Sequence, residues 1–171
     1  MFDNLKPNNY YKSVYDIDVQ ELQDHDIKSI IFDIDNAFVD NDAPIDDDTI
    51  LLIGSFVTQG FDVEIISNYS ETRAKAFAKA LGLPCSYITR KSIIKSYVSA
   101  MKLIHADTKR TCVIGSRLFT DIYNSNKLGS YTILVDPVSK KEPLSIKIKR
   151  VFEKIILSIC LKTKPPIAAG N

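Results

Sequence analysis

Short apolar runs rich in β-branched residues alternate along this chain with longer segments whose apolar residues recur every three or four positions. A run of three to five such residues is typical of a buried strand, whereas the longer spacing is typical of a helix that packs on one face. The predicted strands are 29–34, 61–67, 86–88, 111–114 and 131–135, and the predicted helices are 48–58, 70–81, 94–101 and 118–128.

This alternation, with its short connections, predicts an α/β fold in which a parallel sheet carries helices on both faces. We expect a three-layer, doubly wound, Rossmann-like sheet formed by one domain, residues 1–171. From Asp33 to Ser67 the chain has room for one helix and one strand, and from Ser67 to Lys91 for one helix and a short strand. No cap domain over the strand ends is therefore expected.

The two ends of the chain are predicted to lie outside this alternation. Residues 1–24 hold Pro7 among asparagines and tyrosines, which predicts an N-terminal arm lying over the domain rather than a core element. Residues 144–162 predict a basic amphipathic helix with one apolar face. This helix either packs on the domain, which is the commoner reason for an apolar stripe, or contacts an anionic membrane surface.

Composition narrows the classes of partner and the compartment. The net charge is +1, so no nucleic-acid partner is expected. No apolar run has the length of a membrane span or a signal peptide. Cys85, Cys112 and Cys160 are scattered without a CxxC pair, which argues against a disulfide framework or a cysteine zinc site and favours a cytoplasmic location.

The first candidate for chemistry is the pair Asp33 and Asp35, which ends the first predicted strand. Ligands of open α/β sheets bind at the carboxyl ends of the strands. Two carboxylates about 4 Å apart repel by roughly 4 kcal/mol at an effective dielectric constant of about 20, so they require a cation or a proton between them. The sequence predicts a site for a divalent metal or for a shared proton.

Other predicted strand ends supply polar groups to the same crevice. Ser67 follows the second strand, Lys91 precedes a helix, and Ser116 and Asp121 follow the strand 111–114. An aspartate can form an aspartyl-phosphate, a second acid can protonate the leaving oxygen, a hydroxyl and an ammonium group can hold phosphate oxygens, and further acids can hold magnesium. Together these residues predict phosphoryl-transfer chemistry.

The same residues resemble the motifs of a known superfamily. Asp33-Ile34-Asp35-Asn36, Ser67-Asn68, Lys91 and residues 115–121 resemble motifs I to IV of the haloacid dehalogenase (HAD) superfamily, IIIA phosphatase subgroup. Beyond these motifs the chain resembles the YqeG family, which is similar to the phosphatidylglycerophosphate phosphatases of mitochondria and plastids. The segments that carry this second resemblance are 5–7, 13–18, 42–44 and 128–135.

The resemblance implies a role for each matched position. Asp33 would be the nucleophile and Asp35 the general acid and base. Phosphate would be held by Ser67, Asn68 and Lys91, with Lys95 as the substitute for Lys91, because Ser92 stands where the subgroup usually has proline. The implied cofactor is Mg²⁺, held by Asp33, the backbone carbonyl of Asp35 and Asp121.

Two positions depart from the family pattern. Ala37 stands where motif I usually ends in threonine, and Ser116 stands where motif IV usually has an aspartate that contributes to the metal site. Because changes around metal ligands already cost about ten- to a hundredfold in affinity or activity, loss of a direct ligand is expected to cost at least as much. The next residue, Arg117, either contacts phosphate and replaces part of the lost positive charge or is a solvated surface residue.

These observations leave two hypotheses for the function. The first is a magnesium-dependent phosphomonoester hydrolase that is attenuated by Ser116 and Ala37. Its uncapped crevice would admit a bulky substrate such as the headgroup of phosphatidylglycerophosphate. The helix 144–162 would make peripheral contact with the inner face of the membrane. The alternative is a catalytically degenerate HAD domain that binds a phosphorylated ligand or a protein.

Overall fold

Six parallel strands form one sheet at the centre of the protein. The structure is a computed structural model that describes residues 3–35, 37–40, 43–68, 70–88, 92–138, 153 and 158. The strands are β1 Asn9–Tyr11, β2 Ser29–Asp33, β3 Asp62–Ser67, β4 Cys85–Tyr87, β5 Thr111–Gly115 and β6 Tyr131–Val135. Their order across the sheet is β1-β6-β5-β2-β3-β4. The helices are α1 Val19–Asp24, α2 Asp47–Thr58, α3 Glu71–Leu81, α4 Ile93–Leu103 and α5 Tyr123–Leu128.

Helices cover both faces of the sheet, and this explains why its central strands are apolar without alternation. Every residue of β2 and β5 is buried, as expected for parallel strands covered on two sides. Successive residues of β2 enter different cores: Phe32 packs with Phe56 of α2, and Ile31 packs with Tyr97 of α4. The predicted doubly wound α/β fold is therefore confirmed.

The five predicted strands are all present, with bounds that differ by no more than one residue at either end. The largest difference in a helix concerns the predicted segment 118–128. Its first part, Leu118–Ile122, is a π-helical turn, and α5 begins only at Tyr123. This wider turn follows directly on the strand that carries Ser116.

The expectation that the N-terminal segment only lies over the domain is wrong for Asn9–Tyr11, which is an edge strand of the sheet. These residues pair in parallel with Ile133–Val135 of β6. A three-residue strand is too short to show a periodicity in sequence. Its position depends on polar contacts that local sequence does not reveal, since the carboxylate of Glu21 accepts hydrogen bonds from the hydroxyls of Tyr11 and Tyr131.

The strand order places one strand end at the position where ligands bind in such sheets. From β2 the chain proceeds to β3 and β4 on one side and then crosses to β5 and β6 on the other side. The carboxyl end of β2 is therefore the topological switch point, where the loops on its two sides separate and leave a crevice. Asp33 is the last residue of β2.

The predicted C-terminal helix 144–162 falls outside the described residues except for Glu153 and Ser158. Within the part of the chain that the structure describes, none of the helices combines the length and the apolar character needed to cross a bilayer.

Candidate active site

Asp33 and Asp35 are both buried at the end of β2, with 0% and 3% of their surfaces exposed. The backbone N–H of Asp35 donates to Asp33 Oδ1 over 3.3 Å. Among the described residues, Asp33 pairs with Arg117 and Asp35 pairs with Arg73. The sequence predicted one cation or proton between the two acids and did not predict these separate guanidinium partners.

Asp35 is held by the end of β3 and the start of α3. Its Oδ2 accepts hydrogen bonds from the Ser67 hydroxyl at 2.9 Å and from the backbone N–H of Asn68 at 2.6 Å. Its Oδ1 accepts one from Arg73 Nε at 3.1 Å. Three donors from two elements therefore fix the orientation of this carboxyl group.

Sequence reasoning missed Arg73, which also closes the loop after β2. Its two terminal nitrogens donate to the backbone carbonyls of Ala43 at 2.6 Å and Asp40 at 2.9 Å. Arg73 lies in the first turn of α3, which is capped by Ser70. A cation at the start of a helix is disfavoured by the helix dipole. An arginine at that position is therefore a signal for an anionic partner, and this signal was available in the sequence.

Arg117 lies within the acidic cluster, so the interpretation as a solvated surface residue is wrong. Its Nη2 forms ion pairs with Asp33 Oδ2 and, at 3.2 Å, with Asp121 Oδ1. Its Nη1 donates to the side-chain oxygen of Asn68 at 2.7 Å. Although burial acts to lower its pKa, Asp121 and Asp33 raise the pKa of Arg117 above its ordinary value, so the guanidinium stays charged.

Asp33 requires this positive charge. Burial raises the pKa of Asp33 well above its usual range, the charge of Arg117 opposes that rise, and the neighbouring Asp121 and Asp35 add to it. The positive charge of Arg117 therefore favours the ionised form of Asp33 against the effects of burial and of the neighbouring acids.

Asp121 approaches the end of β5 because residue 115 is a glycine. A Cβ atom at Gly115 would lie 2.7 Å from both Cβ and Cγ of Asp121, which is closer than real contacts allow. Asp121 is fully buried, and its two oxygens accept hydrogen bonds from the backbone N–H of Arg117 at 3.0 Å and from the Tyr97 hydroxyl at 3.3 Å. Tyr97 of α4 packs in the core and also orients this acid through that hydrogen bond.

Most of the predicted site residues come together at this point. Besides Asp33 and Asp35, they are Ser67, Asn68, Ser116, Arg117 and Asp121; Ser116 is 2% exposed and directly follows β5. Lys95 instead lies exposed on α4, outside this hydrogen-bonded cluster. Lys91 falls outside the described residues.

The cluster can hold a small hard cation. No group of three or more Asp, Glu, His or Cys side chains converges among the described residues, but Asp33 and Asp121 already hold one positive group between them. Mg²⁺ is usually bound by one or two carboxylates, with water and substrate phosphate completing its coordination. Two buried carboxylates and the carbonyl oxygen of Asp35 fit that requirement in donor type.

Comparison with known families agrees with this geometry. The family model described as "Mitochondrial PGP phosphatase" matches residues 3–139. The chain belongs to this family. A curated relative, "Probable phosphatase YqeG" from Bacillus subtilis, is 35% identical over 161 residues that cover 92% of each chain. The resemblance to HAD phosphatases of the YqeG type is thus confirmed, and the chain is a phosphatase.

Solved structures similar to this PGP phosphatase family member support the fold alone, because sequence identity is low. A Vibrio cholerae protein assigned as a 3-deoxy-D-manno-octulosonate 8-phosphate phosphatase is 14% identical, with 90% of this chain and 94% of that chain covered and a TM-score of 0.53. The cobalt-bound deoxy-D-mannose-octulosonate 8-phosphate phosphatase (YrbI) from Haemophilus influenzae is 15% identical, with 85% and 95% covered and a TM-score of 0.50.

Proposed function

We propose that this chain is a magnesium-dependent phosphomonoester hydrolase that acts through an aspartyl-phosphate on Asp33. The observation that carries the proposal is the position of Asp33, buried at the switch point of the sheet and facing Asp121 across one positive charge. A nucleophilic carboxylate beside a cation-holding carboxylate is the arrangement that phosphoryl transfer through an acyl phosphate requires.

In the proposed reaction an oxygen of Asp33 attacks phosphorus, and the bond from phosphorus to the ester oxygen breaks. Asp35 donates the proton that the leaving alcohol needs. It then accepts a proton from the water that attacks the acyl phosphate, which releases inorganic phosphate and restores Asp33. The backbone N–H of Asn68 and the Nε of Arg73 hold Asp35 in place for both transfers.

The phosphate itself needs positive charge and donors in this scheme. Ser67, Asn68 and Lys91, or Lys95 in place of Lys91, are proposed to hold its oxygens. A bound Mg²⁺, held by Asp33, the Asp35 carbonyl and Asp121, would neutralise charge that develops on the phosphoryl group. Ser116 supplies a hydroxyl where a further carboxylate would strengthen this site, and we therefore expect an attenuated enzyme.

We propose phosphatidylglycerophosphate, a phosphate ester on a lipid headgroup, as the substrate. The family description supports this choice. The fold supports it too, because an uncapped crevice admits a bulky substrate. One described helix separates β2 from β3 and one separates β3 from β4, with no inserted domain between those described elements. The proposed place of action is the cytoplasmic face of a membrane, reached through the basic segment 144–162.

The test is phosphate release by the full-length chain from phosphatidylglycerophosphate in detergent micelles, with Mg²⁺ and with EDTA. We expect Mg²⁺-dependent release, an Asp33→Asn variant that loses about 10³-fold or more, and a Ser116→Asp variant that gains roughly tenfold or more. Asp62→Asn is the matched control, because Asp62 is an exposed aspartate at the start of β3, and it should retain full activity.

Two outcomes would contradict the proposal. If Asp33→Asn released phosphate as fast as the parent chain, Asp33 would not be the nucleophile. If the parent chain bound the lipid but released phosphate only after Ser116→Asp, the degenerate binding domain would be the better description. The position of the Arg117 guanidinium between the two carboxylates is the observation that favours this second function.

A further inference from the structure

We propose that Arg117 is an exchangeable internal cation of this site. In the metal-free protein its guanidinium neutralises Asp33 and Asp121, and it must leave Asp33 before that carboxylate can bind a metal or attack phosphorus. The inference rests on the proposed function in one respect, namely that a divalent cation is the competing group.

The contacts of Arg117 place it where a shared cation would be. The same nitrogen, Nη2, pairs with Asp33 Oδ2 and with Asp121 Oδ1. Asp33 and Asp121 are also the two carboxylates proposed to hold the metal. Two positive groups cannot occupy one position between two acids, so occupation by one requires displacement of the other.

Arg117 also completes the masking of the proposed nucleophile. Asp33 Oδ1 accepts from the Asp35 backbone N–H at 3.3 Å and from Asn68 Nδ2 at 3.1 Å. Asp33 Oδ2 accepts from Asn68 Nδ2 at 3.2 Å and from Arg117 Nη2. Both oxygens of the Asp33 carboxylate thus accept hydrogen bonds from neighbouring side chains or backbone.

A comparison with Arg73 indicates that Arg117 is the one that can exchange. Arg73 uses all three of its nitrogens in hydrogen bonds and is 11% exposed. Arg117 is 23% exposed, and its buried Nε makes no hydrogen bond within the described part of the chain. A buried donor without an acceptor is destabilising. We therefore expect Arg117 to leave its ion pairs more readily than Arg73 does, since Arg117 has an unpaired Nε and a more exposed side chain.

Calorimetric titration of Mg²⁺ into the full-length chain and its Arg117→Gln variant tests the proposal without relying on activity. Removal of the competing guanidinium should tighten Mg²⁺ binding by about tenfold or more. A factor of about ten is the lower end of the effect that groups around metal ligands have on metal affinity. Without metal, Arg117→Gln should melt at a lower temperature than the parent chain, since Asp33 and Asp121 lose their counter-charge. Added Mg²⁺ should raise the melting temperature of Arg117→Gln more than that of the parent chain.

Two further variants keep the outcome interpretable. Arg110→Gln removes an exposed arginine that pairs with Asp26 and should leave Mg²⁺ affinity unchanged. Arg117→Lys keeps the charge but cannot bridge two carboxylates with a planar fork, so it should bind Mg²⁺ with intermediate affinity even if Arg117→Gln fails to fold.

A spectroscopic readout follows the displaced group directly. In the parent chain, ¹⁵N NMR signals of the Arg117 guanidinium should move towards those of a solvated arginine as Mg²⁺ is added. Unchanged signals at saturating Mg²⁺, or equal or weaker Mg²⁺ binding by both Arg117 variants, would overturn the exchange. Failure of the proposed function looks different: Mg²⁺ then binds and displaces Arg117, but no phosphate is released.

Discussion

Gly115 shows how one missing side chain shapes the site. Asp121 occupies the space where a Cβ atom at position 115 would lie. The φ angle of Gly115 is not positive, so its backbone conformation does not require glycine. The requirement for glycine comes from the lack of space for a side chain. The close approach of Asp121 to the strand end therefore depends on this residue.

Gly115→Ala should consequently displace Asp121 from Arg117 and Tyr97. Forcing a methyl group into a filled site costs about 1–3 kcal/mol, and phosphatase activity should fall with it. Urea unfolding and phosphate release measure the two effects. Gly54→Ala is the matched control, since a Cβ at Gly54 meets nothing within 4 Å; equal behaviour of the two variants would refute the spatial argument.

Glu64 carries a second prediction at the residue scale, because the proposed mechanism does not use it. This fully buried acid in β3 accepts a hydrogen bond from the Ser86 hydroxyl at 2.6 Å, and its other oxygen has no partner within the described residues. Burial raises the pKa of Glu64 from 4.5 to about 7. The folded state thus holds this proton to higher pH than the unfolded chain does.

The protonated Glu64 therefore contributes to the free energy of unfolding. This contribution is fully present below about pH 4.5 and is lost as the pH rises to about 7. At about 1.4 kcal/mol per pKa unit the loss amounts to at most roughly 3 kcal/mol. Glu64→Gln should be more stable than the parent chain at about pH 8 and nearly equal to it at about pH 4. Urea midpoints at both values measure the difference; parallel pH profiles for the two proteins would show that Glu64 titrates normally.

The residues of the site differ in how far the sequence could predict them. Asp33, Ser67 and Asp121 could be predicted because each follows a strand whose apolar run is evident locally. Arg73 and Tyr97 could not be assigned, since their partners lie 38 and 24 residues away and only folding brings them together. The opposing helix dipole at Arg73 was the one local sign.

At the scale of elements, the first turn of α3 acts as a clamp on the loop after β2. Arg73 joins this turn to Asp35 and to the carbonyls of Ala43 and Asp40. Strand, loop and helix are thus connected through one side chain. The geometry of Asp35 depends on all three.

Arg73→Ala should release this clamp and remove the guanidinium that pairs with the buried Asp35. Loss of one partner of a buried ion pair costs about 3–5 kcal/mol, so a large fall in the urea midpoint is expected. Arg110→Ala, at a solvent-exposed pair with Asp26, should change the urea midpoint little, because exposed ion pairs contribute little to stability. Similar losses in the two variants would contradict a structural role for Arg73.

Elements with strong periodicity could be predicted, and those held by polar contacts could not. The apolar stripes of α2, α3 and α4 and the β-branched runs of β2 and β5 are local signals. Strand β1 has three polar or aromatic residues and exists through its register with β6 and the hydrogen bonds around Glu21. The π-helical turn at Leu118–Ile122 likewise has no recognised local pattern.

For the whole molecule, a contact joins the C-terminal region to the site. The Glu153 carboxylate accepts a hydrogen bond at 3.1 Å from the backbone N–H of Leu118, 35 residues earlier and next to Arg117. Leu118 begins the helical turn, where a negative charge is favoured by the helix dipole. The family match ends at residue 139, so Glu153 lies beyond the matched part whereas Leu118 lies within it.

Glu153→Ala should therefore weaken the turn that carries Asp121. Loss of a carboxylate acceptor at a helix start costs about 0.5–2 kcal/mol, and hydrogen exchange at the Leu118 amide should speed up. Glu153→Gln, which keeps an acceptor oxygen, should retain most of the protection. Unchanged exchange at Leu118 in both variants would show that the contact does not hold the turn.

The pairing of β1 with β6 also has a consequence for biosynthesis. Residues 9–11 leave the ribosome first, but their partner strand ends only at Val135. Strand β1 has no partner strand until then, so its docking on β6 must complete the sheet late.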